Sequence, residues 1–85
     1  MAIDTDALIA QYIEPNPHRG GIAEARLRDS AQPVWAVIAY WRAAGHDSKR
    51  VADDCQIPLR AVDAAISYYQ RHSTLIDDRI AANVA

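Results

Sequence analysis

Apolar residues recur at helical spacing over most of this chain and lose that spacing in one middle segment. Ile3, Leu8, Ile9, Tyr12 and Ile13 form a stripe that predicts a first helix through about Ile13, with Asp4 or Thr5 as N-cap. Asp6 suits the positive end of that helix. The stretch Glu14 to Gly21, EPNPHRGG, cannot continue it, because Pro15 and Pro17 lack amide donors and bias the residues before them to extended geometry. From Ile22 to Asp29 the pattern alternates weakly. Arg26-Leu27-Arg28 reads as a short strand with Leu27 inward, and since one strand alone does not persist, a partner subunit is the expected source of pairing. Residues 1–14 are therefore assigned to an N-terminal helix and 15–32 to an extended connector.

Residues 33–85 read as a helical core. Pro33 fits the first position of a second helix whose apolar face, Val34, Val37, Ile38, Trp41 and Ala44, ends at Gly45, a good left-handed cap. Asp47 is the expected N-cap of a third helix, about Ser48 to Asp54, and Pro58 opens a fourth. Val51 and Ala52 share a turn, Ile57 falls at the bend, and Val62 and Ile66 recur four apart. That spacing packs a short helix crosswise on a longer one, the pattern of a helix-turn-helix at about 48–72. The bend position that often holds Gly is Gln56, which must reach the turn conformation at some steric cost. Beyond it, Val62, Ile66, Tyr69, Ser73, Ile76 and Ile80 keep one stripe in register, so the fourth helix is expected to continue, with a break and new cap at Ser73-Thr74 as the alternative.

Composition narrows this picture to a mainly α, small, helix-turn-helix-like domain with a short extended N-terminal segment. With 85 residues the chain is a single domain whose core stabilises it only marginally. A second copy is the simplest helper, so a homodimer is expected. The hydrophobic fraction of 51% excludes a disordered chain, and with no Phe the core is expected to centre on Trp35, Tyr40, Trp41, Tyr68 and Tyr69. A formal net charge of −2 argues against non-specific coating of nucleic acid. The lone Cys55 excludes an internal disulfide. With no apolar run long enough to span a bilayer and acids where a secretory signal carries bases, a cytoplasmic protein without membrane contact is expected.

PVWAVIAYWRAAG, followed by VADDCQIPLRAVDAAISYYQRH and LIDDRIAAN, resembles the bacterial domain-of-unknown-function family numbered four-three-three, over about Ile13 to Asn83. The resemblance implies an antitoxin-like protein with a helix-turn-helix-related fold, of a family often encoded beside a PIN-like ribonuclease toxin. This chain departs from the family's frequent Gly-Thr-Arg-Ile-Pro-Val opening. It carries Asp29, Ser30, Ala31 and Gln32 before Pro33 and Val34, so that Arg is missing, and Arg26 and Arg28 lie near enough to substitute.

Candidate chemistry follows from placement. On a recognition helix, Arg60, Ala64, Ser67 and Arg71 fall on one face, away from Val62 and Ile66, while Lys49 and Arg50 begin the third helix where phosphates approach. Operator DNA is thus a candidate partner, against which stand the nearby acids Asp53, Asp54 and Asp63. For a PIN-like toxin partner, an Arg entering the nuclease's acidic pocket would block it, and Arg19, Arg26, Arg28 and Arg79 are candidates. Leu75, Ile76 and Ile80 offer an apolar stripe for a partner or a second copy. An enzyme is not expected: His18, His46 and His72 lack metal-ligand spacing with Cys55, Gly20-Gly21 is no phosphate loop, and no serine has a readable base. Catalytic residues, metal and cofactor are therefore all read as none. The alternative to an antitoxin-like role is a protein-interaction or assembly module that keeps the helix-turn-helix shape without touching DNA.

Overall fold

The computed structural model describes residues 4–84, so Ile3, assigned to the first apolar stripe, lies outside it. Helix α1 spans Thr5–Tyr12, with the Asp4 carboxylate as N-cap accepting from the Ala7 amide at 3.2 Å. The chain turns extended at Ile13 (φ −120°, ψ 137°) and enters strand β1, Ile13–Glu14. Strand β2, Arg26–Leu27, pairs with it antiparallel, Ile13 opposite Leu27 and Glu14 opposite Arg26. The period of two separates the faces: Ile13 and Leu27 are buried, while Glu14 and Arg26 form an ion pair at 2.7 Å.

This ribbon corrects the expectation that a partner subunit pairs the strand. The residue that ends α1 supplies the partner edge, and the Arg28 amide adds a hydrogen bond to the Tyr12 carbonyl at 2.8 Å. Between the strands the segment is not wholly extended, since Ile22–Glu24 forms a 3₁₀ turn. Asn16 shapes the proline loop by accepting from the amides of His18 and Arg19.

Helix α2 covers Val34–Ala43, with Pro33 as N-cap, one place earlier than expected. Helix α3 covers Ser48–Cys55, and Asp47 caps it by accepting from the Arg50 amide at 3.1 Å. Three residues then lead to helix α4, Leu59–Arg71, and Gln56 stands in the left-handed region at φ 56°, ψ 48°. The stripe does not continue as one helix. The chain breaks at His72 (φ −133°, ψ 36°), and helix α5, Ser73–Val84, folds back against α2 and the 3₁₀ turn. Ile76 thereby reaches complete burial, so the stripe is covered by the chain itself.

The core is aliphatic and small, which corrects the expectation of an aromatic centre. Val34, Val37, Ile38, Val51, Val62 and Ile76 are its largest fully buried members, joined by Ala61, Ala64 and Ala65 of α4. Those alanines admit α1 close alongside α4. Trp35, Trp41, Tyr68 and Tyr69 pack around this core partly exposed, and Tyr40 is exposed. Their polar ends explain the arrangement: hydroxyls of Tyr40, Tyr68 and Tyr69 donate to Asp54, the Ile22 carbonyl and Asp77, partners found at the rim. No helix among the described residues is long and apolar enough to cross a membrane.

Candidate functional site

The face expected to read DNA begins at the starts of two helices. Lys49 is the second residue of α3 and Arg60 the second residue of α4, both exposed. Among the described residues neither has a carboxylate partner. Cations here oppose the helix dipole, so helix stability does not account for them. Arg50 is held differently, its Nε 3.5 Å from Asp54 Oδ2 one turn along the helix. Asp54 also accepts from the Tyr40 hydroxyl, which lowers its pKa first, with Arg50 contributing less.

Further along α4 the expected face is interrupted. Ala64 is fully buried, because α1 lies over this side of α4, and Ser67 is half-buried. Arg71 closes the helix by pairing with Asp6 and donating to the Thr5 hydroxyl, both on α1. Asp53, Asp54 and Asp63 are exposed on the same pair of helices. The structure therefore leaves Lys49 and Arg60 open, ties Arg50 and Arg71 within the chain, and sets acids beside them.

The residues expected to meet a partner are mostly engaged at home. Arg26 pairs with Glu14, and Arg28 donates to the carbonyls of Ala10 and Ile13, each at 3.0 Å, with Glu14 3.6 Å away. Arg79 donates to Glu24 at 2.7 Å and lies over the Trp35 ring. Arg19 stands 3.9 Å from Glu24. Ile76 corrects the expected apolar contact stripe, since complete burial removes it from any surface; Ile80 is half-buried against the core, and Leu75 alone of the three is exposed. Of nine Lys and Arg residues, seven face a carboxylate of the same chain.

Sequence reasoning missed three features. Arg42 of α2 donates to Asp77 of α5 and to the Tyr69 hydroxyl of α4, joining three helices. The Trp41 and His46 rings stack with centroids 4.1 Å apart, and His46 stands in the left-handed region at φ 66°. Among the grooves on the surface of the described residues, two are mostly apolar. One, of about 210 Å³, has Tyr12, Leu27, Ile57 and Ala61 in its lining with Asp29 among them; the other, of about 400 Å³, includes Ile9, Ile13, Ile22 and Tyr68. A left-handed turn after Gly45 was the only local signal for any of these, because the other contacts join distant segments.

Among the described residues no three His, Cys, Asp or Glu side chains gather as a metal site. Burial, and secondly the Asp54 charge, pushes the Cys55 thiol up, away from the thiolate a nucleophile needs. Compared with protein-family models, curated proteins and solved structures, the chain matches none.

Proposed function

We propose that this chain is a non-enzymatic protein-interaction module. The observation that carries this reading is the internal use of its arginines: with seven of nine basic side chains facing carboxylates of the same chain, little positive charge remains to displace counterions from DNA. The cover of α1 over α4 adds to it, since a recognition helix needs a free face. Exposed apolar side chains, Ile22, Leu59 and Leu75 among them, supply contact area of the kind protein partners use.

A second reading is an antitoxin-like protein that binds a PIN-like toxin and operator DNA as a homodimer. Lys49 and Arg60 favour it, open at the starts of two helices joined by a three-residue turn. Binding to duplex DNA as a function of salt separates the readings. The interaction module is expected to show no salt-dependent affinity for duplex DNA. DNA binding that weakens with salt and is lost in Lys49→Ala and Arg60→Ala would overturn it in favour of the second reading.

A further inference from the structure

The smaller groove lies where β2, the loop after it and the α3–α4 turn meet the end of α1. Tyr12, Leu27, Ile57, Pro58 and Ala61 give it an apolar lining, and Asp29 adds a carboxylate that has no cationic partner among the described residues. The chain continues from the lining residue Pro58 directly into Leu59 and Arg60. Leu59 keeps 46% of its surface exposed at the start of α4, and Arg60 is an exposed cation without a carboxylate partner among the described residues. An apolar groove with an unmatched anion thus sits beside an exposed apolar side chain followed by an unmatched cation.

Resting on the protein-interaction reading, we infer that this face binds a second copy of the chain. A twofold axis between the two features places Leu59 of each protomer in the groove of the other and sets each Arg60 against the Asp29 opposite. Such an isologous contact uses every element twice, which is why groove and ligand can neighbour each other on one surface. Charge complementarity selects this occupant, because one surface carries both the acid-bearing groove and the basic, apolar segment that matches it. Each protomer contributes one apolar side chain and one ion pair to the contact as described, so a weak dimer is expected.

Sedimentation velocity of the full chain from about 10 μM to about 1 mM tests this. The expected result is a monomer–dimer equilibrium that Leu59→Asp abolishes and that Arg60→Asp weakens about tenfold, with Asp29→Arg added to Arg60→Asp restoring it. All three residues are exposed, so far-ultraviolet circular dichroism is expected to be unchanged. A chain that stays monomeric at the highest concentration overturns the inference, as does a dimer indifferent to Leu59→Asp. A monomer that shows no salt-dependent affinity for duplex DNA overturns this face while leaving the interaction reading standing.

Discussion

Arg79 holds its guanidinium 4.3 Å from the centroid of the Trp35 ring, so the last helix is fixed to α2 by a cation lying over an aromatic face. The same guanidinium donates to Glu24 at 2.7 Å, with only 20% and 14% of the two side chains exposed. One residue therefore joins α5, α2 and the 3₁₀ turn.

Arg79→Ala is expected to destabilise the protein by about 2 kcal/mol, combining a half-shielded cation–π contact with a charge-assisted hydrogen bond. That lowers the melting temperature by roughly 10 °C for a chain of this size. Arg79→Lys should recover less than half of the loss, because an ammonium lacks the planar fork that meets ring and carboxylate together. Thermal melts of the three proteins decide it, and full recovery in Arg79→Lys would show that charge alone matters.

Ile76 carries the rest of the attachment. Its complete burial makes Ile76→Ala a cavity-forming change costing about 3 kcal/mol, against about 1 kcal/mol for Ile76→Val. Urea unfolding checks the ratio. Were α5 free to mate with another protein through this residue, Ile76→Ala would leave the isolated chain unaffected.

What the sequence disclosed was local. Asp4, Asp47, Pro33 and Pro58 marked helix starts because a cap acts within one turn of itself, and Gln56 marked a strained bend because the turn geometry is set by three residues. The Ile13–Leu27 pairing and the Arg79–Glu24 bridge join segments far apart in the chain, and nothing in the intervening residues specifies them. The candidate site divides the same way. Arg50 and Asp54 stand four apart, so their pairing was readable, whereas the link from Arg71 to Asp6 exists only because α1 lies along α4. The stripe through Ile76 and Ile80 truly sought cover, but periodicity cannot say whether that cover is another chain or a fold-back at His72.

Gln56 and His46 share positive φ, at 56° and 66°, and predict opposite results from the same substitution. Gln56 is exposed, so Gln56→Gly should relieve left-handed strain and stabilise the protein by about 0.5–1 kcal/mol. His46→Gly relieves the same strain but removes the ring stacked on Trp41, and is expected to be neutral or destabilising. Equal gains in melting temperature for both would mean that the stacked rings contribute nothing.

Acid should release α5 through Asp77. Hydrogen bonds from the Arg42 guanidinium, and then from the Tyr69 hydroxyl, lower its pKa below the ordinary value of 3.8. A carboxyl with a lower pKa in the folded state stabilises fully above its unfolded pKa, and the contribution fades as pH falls from about 4 through the folded value. Amide protection along α5, taken relative to the intrinsic exchange rate at each pH, should therefore fall between pH 5 and pH 3 more than protection in α1. In Asp77→Asn, stability at neutral pH should fall and this extra acid sensitivity should shrink, because the titrating group is gone. An unchanged acid response in the variant would assign the loss to other carboxylates, such as Asp54, which the Tyr40 hydroxyl holds low in the same way.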